Sequence, residues 1–164
     1  MRNDEYYKIA YMGLFTALAS ILGYVESLIP VFIGIPGVKL GLANLAVLFI
    51  LIRYSWKEAA LVSMARILII GALFGSLFSI AYSTAGAALS LAVMALLAKK
   101  KDFSVIFISI AGGVTHNIGQ LIIAVWLMES ISVVYYAPAL LVSGVVTGVL
   151  IGLLTTELLK RIRF

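Results

Sequence analysis

The sequence predicts an all-α integral membrane protein, a single domain of six transmembrane helices with both termini on the cytoplasmic side. Three observations predict it. The chain is 63% hydrophobic and only 12% charged over 164 residues, whereas an ordinary soluble domain is about 45–50% apolar and about 25% charged. Its apolar runs have the length, roughly 17–25 residues, that carries a helix across a bilayer. Ten of its twelve basic residues fall in alternate gaps between those runs, which is the lysine and arginine bias of cytoplasmic loops.

The first span covers residues 7–28. An Ala17-Leu18-Ala19 triplet resembles a signal-peptidase site, but it lies inside an apolar run that continues to Val25, with Asp4 and Glu5 in front of it. The segment is therefore expected to stay as a helix. Pro30, Gly34, Pro36 and Gly37 then make a non-helical loop. The second span, 38–53, is short. Residues 59–98 carry a single charge, Arg66, and are too long for one crossing. They divide near residues 71–76 into spans three (56–74) and four (76–98). The fifth lies in the 26 uncharged residues 103–128. The sixth covers 137–159, with Pro138 suited to a first helical turn.

Charge tests this division independently. Arg2 and Lys8 precede span one; Arg53 and Lys57 separate spans two and three. Lys99, Lys100 and Lys101 separate four and five, and Lys160, Arg161 and Arg163 follow six. Five or seven crossings would scatter these clusters to both sides. The net charge of +5 is explained by this bias and does not call for nucleic acid. The protein is expected in the cell membrane as a multi-pass chain.

Polar side chains inside such spans are costly in hydrocarbon and face a protein interior or a cavity. Gly112-Gly113-Val114-Thr115-His116-Asn117-Ile118-Gly119-Gln120 holds the only histidine of the chain at the centre of span five. His116 and Gln120, four apart, share one helix face, and Asn117 sits on its flank. Arg66 lies about 14 Å into span three at 1.5 Å per residue, level with His116. Asn44 falls about one and a half turns into span two, and Glu26, Lys39 and Glu129 sit near outer span ends. The set occupies the midplane and outer half, as a pocket opening outward would. Each residue has a plain alternative. Arg66 can pair with Glu26 or Glu129; His116, Asn117 and Gln120 can be interhelical hydrogen-bonders; Asn44 can tie its helix to the preceding loop; Lys39 can snorkel to the interface. Gly144, Gly148 and Gly152, spaced by four, and the pair Gly13 and Ala17 make small-residue stripes for close helix approach, within the bundle or against another membrane protein.

Catalytic signals are poor. With no cysteine, one histidine and seven scattered acidic residues, the chain offers neither a metal site nor a nucleophilic triad, and no phosphate-binding glycine motif is present. No cofactor is expected, and the protein is not expected to be an enzyme.

Three blocks resemble a known family. Pro36-Gly37-Val38-Lys39-Leu40-Gly41-Leu42-Ala43-Asn44 is similar to the signature of the heptaprenyl diphosphate synthase component I family, also called Gx transporter proteins. Ser83-Thr84-Ala85-Gly86-Ala87-Ala88-Leu89-Ser90 and His116-Asn117-Ile118-Gly119-Gln120 resemble two further blocks of it. That family is grouped with the substrate-binding S components of energy-coupling factor (ECF) transporters. The resemblance implies a six-helix protein with an outward pocket for a vitamin-like or other small molecule, the loop after span one covering it. It also implies a T component and two ATPase subunits on the cytoplasmic side. Gly13 and Ala17 stand where S components carry small residues for T-component contact, with glycine in place of the usual first alanine. Under this reading Lys39, Asn44, Arg66, His116, Asn117 and Gln120 would contact substrate, with Tyr82 as an apolar wall. The family name implies a second function, in prenyl diphosphate synthesis. Prenyl elongation needs aspartate-rich motifs, and this chain has only Asp4 and Asp102, so it would serve there as a non-catalytic membrane accessory of a prenyl synthase subunit, or move an isoprenoid or quinone-related compound.

Overall fold

The computed structural model describes residues 2–28, 40–100 and 102–162. Lys39 and the loop residues Pro30, Gly34, Pro36 and Gly37 lie outside them. The described chain is helical throughout: α1 (Arg2–Leu28), α2 (Leu42–Arg53), α3 (Trp56–Phe74), α4 (Leu77–Ala98), α5 (Val105–Met128), a 3₁₀ helix (Ile131–Tyr136) and α6 (Ala137–Arg161). Four segments, Tyr6–Glu26, Leu77–Ala98, Val105–Met128 and Ile131–Arg161, are long and apolar enough to cross a membrane. The protein is thus an all-α membrane protein. α3 falls outside that group, and it carries Lys57, Glu58 and Arg66. α2 falls outside it because its twelve residues rise only about 18 Å.

Local chemistry places the helix ends. Ser55, Ser76 and Ser104 cap α3, α4 and α5, accepting from the backbone N–H of Lys57, Ser79 and Phe107, each at 3.2 Å. Ser55 also donates to the Glu58 carboxylate, so Ser55-Trp56-Lys57-Glu58 is a Ser-x-x-Glu helix start. Pro138 occupies the first turn of α6, where its missing N–H leaves no bond unmade. The sequence reading starts span two at Val38; helix α2 begins instead at Leu42, because Gly41 holds φ at 75°, a left-handed conformation open to glycine and incompatible with continuing a right-handed helix through it.

α5 runs between α4 and α6 and packs tightly on both. Glycines set these distances. A Cβ on Gly113 would stand 2.5 Å from the Gly144 carbonyl oxygen, one on Gly148 2.6 Å from the Ile110 Cα, and one on Gly152 2.7 Å from the Ile106 Cα. The stripe on α6 therefore packs within the bundle, against α5. α2 is the centre of the fold: eight of its twelve residues are buried, which is why it is apolar on every side.

The interior has two storeys. One holds a dry apolar core in which Phe15 stacks on Phe49 at 4.8 Å. Tyr54 after α2, Leu97 and Ala98 at the end of α4, Phe103 and Val105 at the start of α5, and Leu158 and Ile162 at the end of α6 pack against it. At the same end Lys8 of α1 reaches Glu58 of α3 at 2.5 Å. The basic residues Lys8, Arg53, Lys57, Lys99, Lys100, Lys160 and Arg161 thus gather at one end of the bundle. The other storey is polar.

Candidate functional site

The polar storey encloses a cavity of about 50 Å³. All six helices wall it. α1 contributes Glu26 and α3 Arg66; Gly41, Ala43 and Asn44 come from the start of α2, and Ser83 from α4. α5 adds Gly113, His116, Asn117 and Gln120, and α6 adds Thr147. Ligand pockets commonly measure about 300–1,000 Å³. In this conformation the side chains leave room for a few water molecules or one small polar group rather than a large ligand.

Helix geometry explains the convergence. Arg66 lies ten residues into α3 and His116 eleven into α5; both helices start at the basic end, so both side chains reach the same level, about 15–17 Å from it. His116 and Gln120 face the cavity together, as expected for positions four apart. α4 can approach this face only because of Gly86: a Cβ there would stand 2.7 Å from Gln120 Cγ and 3.0 Å from His116 Cε1. Gly86 thus lets α4 clamp the two polar side chains in place, and Gln120 is only 2% exposed.

Arg66 is the dominant charge. Its Nε is buried without a hydrogen-bond partner. The Glu26 carboxylate acts on it electrostatically from across the same cavity. Glu26, 7% exposed, also accepts the backbone N–H of Gly41 at 2.5 Å and so ties the end of α1 to the start of α2. Asn117 is held differently: its Nδ2 donates to the Leu140 carbonyl at 2.6 Å and lies 3.4 Å from Ser143 Oγ. It both lines the cavity and ties α5 to α6.

The remaining predicted positions are distributed as follows. Asn44 lies in the first turn of α2 rather than one and a half turns in, for the reason given by Gly41. Its N–H donates to the Gly41 carbonyl at 2.8 Å. Tyr82 stacks on Phe78, ring centroids 5.9 Å apart, and is not among the lining residues; its neighbour Ser83 is α4's contribution. Lys39 lies outside the described residues. Gly13 and Ala17 are exposed on the outer face of α1, and a Cβ on Gly13 would meet nothing within 4 Å. Sequence reasoning did not assign Ser83 or Thr147 to the site. Ser83 opens one of the three family-like blocks, and Thr147 is one turn beyond Ser143, the neighbour of Asn117.

The profile of one protein family, heptaprenyl diphosphate synthase component I, matches residues 15–158. The chain belongs to this family. The match takes in α2 to α5 whole, most of α6, the second half of α1 and all cavity-lining residues, so the family's sequence pattern and the cavity are features of the same domain. No curated protein and no solved structure matches the chain.

Proposed function

We propose that this component I family member is a multi-pass cell-membrane binding subunit that captures a small molecule in the polar cavity, and that it acts as the S component of an ECF-type importer. The observation that carries the reading is Arg66: a guanidinium with an unmet donor, facing a cavity lined by His116, Gln120, Asn44 and Ser83. An ionisable group at such depth is costly and is retained for function. The six helices cross the membrane with the basic end in the cytoplasm, so the cavity lies in the outer half and loads from outside. Gly13 and Ala17, on the unpacked face of α1, offer small-residue contact to a T component. Two ATPase subunits supply the energy, and this chain is not itself an enzyme.

Mass spectrometry of small molecules that copurify with the protein tests the reading. The expected result is one compound enriched with wild type and lost from Arg66→Gln and His116→Ala. Uptake unchanged by both substitutions, with no compound bound to wild type, sinks it.

The family match favours a second reading, a non-catalytic membrane accessory to a prenyl synthase subunit. Coexpression separates the two: a stable complex with a prenyl synthase that alters product chain length supports the accessory role, and copurification with a T component and ATPases supports transport.

A further inference from the structure

A second, smaller space of about 20 Å³ adjoins the polar cavity on the side of the basic end. The two share Gly41, Asn44, Gly113 and Thr147 as walls. The order along each helix fixes the direction. On α4, Ser83 lines the outer space, whereas Ser90 and Met94, nearer the helix end, line the inner one. On α5, Gln120 is outer and Ser109, near the start, is inner. The floor of the inner space is Leu48, Met94 and Ile151, all members of the apolar core. The two spaces thus form a well whose polar walls stop at a dry floor.

Both spaces are water-sized. A water molecule needs roughly 10–15 Å³ of cavity and two to four polar partners, so the outer space takes a few molecules and the inner space one. Partners are at hand in each. In the outer space the Arg66 Nε is a buried donor without a partner, and Glu26, Asn44 and Gln120 line the same walls with oxygen acceptors. Gln120 is almost wholly buried, which keeps its amide from bulk solvent. In the inner space the buried Ser90 and Ser109 bring hydroxyls from two helices packed on each other. Leaving such groups dry is costly, and ordered water is a usual remedy.

We infer that both spaces hold resident water: a few molecules on Arg66, Glu26, Asn44 and Gln120, and a single one between Ser90 and Ser109. This network solvates the guanidinium inside the bundle and links side chains of α1 to α5. It ends at Met94, so it hydrates the protein without piercing it. The inference is independent of the binding role proposed above, in which a captured molecule would exchange its polar atoms for the outer waters.

Synchrotron hydroxyl-radical footprinting of the full chain in lipid nanodiscs provides the test, because radicals born on a bound water oxidise the side chains beside it. Met94 reports on the inner space and His116 on the outer one. Phe15 and Phe49, buried in the apolar core, are the dry references. Rates are scaled to the reactivity of each free amino acid. In wild type, Met94 and His116 should be oxidised in proportion to dose, and Phe15 and Phe49 should not. Combined Ser90→Ala and Ser109→Ala substitutions leave the inner space largely apolar, and apolar cavities stay dry. They should abolish oxidation of Met94 and leave that of His116 at the wild-type rate. Oxidation of Phe49 would betray an unfolded variant, and Ser109→Ala alone, with partial loss at Met94, then serves instead. Wild-type Met94 oxidised no faster than Phe49 overturns the inner water, and His116 equally silent overturns the outer waters. Oxidation of Met94 undiminished in both folded serine variants also overturns the inner water, since the radicals then arise elsewhere.

Discussion

Three polar side chains of the bundle interior carry different kinds of information. Asn117 is satisfied by a backbone carbonyl on the next helix and is explained by packing. Arg66 lines the cavity and has one buried donor unmet, and the proposed binding role rests on it. Thr155 is fully buried, its hydroxyl makes no hydrogen bond, and it does not line the polar cavity. A buried hydroxyl left unsatisfied costs about 1–3 kcal/mol, and replacement by an apolar group of the same shape removes that cost. Thr155→Val is therefore expected to stabilise the protein, read as a higher thermal midpoint in detergent with ligand binding unchanged. A lower midpoint would mean that the hydroxyl has a partner in solution.

At the scale of helices, two glycine positions that look alike in sequence behave oppositely. Gly113 is pressed against the Gly144 carbonyl, whereas Gly13 has open space around it. Gly113→Val forces α5 and α6 apart. It is expected to cost at least about 1–3 kcal/mol, as overpacking does, and to lower the yield of monodisperse protein. Gly13→Ala should leave the isolated protein as stable or up to about 1 kcal/mol more so, since alanine is the better helix former. If small residues on α1 dock a partner, the same change would still weaken complex formation, and copurification measures that. Helix positions themselves were largely legible. The long uncharged run gave α5, Pro138 marked the first turn of α6, and the glycine and serine cluster at 71–76 divided α3 from α4. The start of α2 was not legible: nothing in Lys39-Leu40-Gly41-Leu42 distinguishes a glycine inside an apolar helix from one at φ 75°. Nor was the part played by Ser83 and Thr147. Helices this apolar show no polar stripe to orient them, so which face turns inward is decided by close glycine contacts on neighbouring helices.

Over the whole molecule, charge and polarity are sorted along one axis: basic residues at one end, apolar core next, polar cavity beyond. The charge pattern alone foretold the first of these, because it depends on chain order and not on packing. The convergence of Arg66 with His116 followed from counting residues along two helices that both start at the basic end; the approach of α4 to that face did not, since it depends on Gly86 lying against Gln120. The absence of cysteine makes the axis easy to test. Lys100→Cys at the basic end should react with an impermeant thiol reagent only from the cytoplasmic side, and Ser130→Cys between α5 and the 3₁₀ helix only from outside. Labelling of both from one side would exclude a crossing by α5.

The brevity of α2 reaches beyond its own packing. Because Gly41, Ala43 and Asn44 at its first turn form part of the cavity wall, the depth of the cavity is governed by where this helix begins. One more turn at that end would add about 5.4 Å and close the space; one fewer would deepen it. Relatives could therefore change the size of molecule they accept by gaining or losing three or four residues ahead of α2, while every membrane-facing surface and every glycine contact stayed as it is.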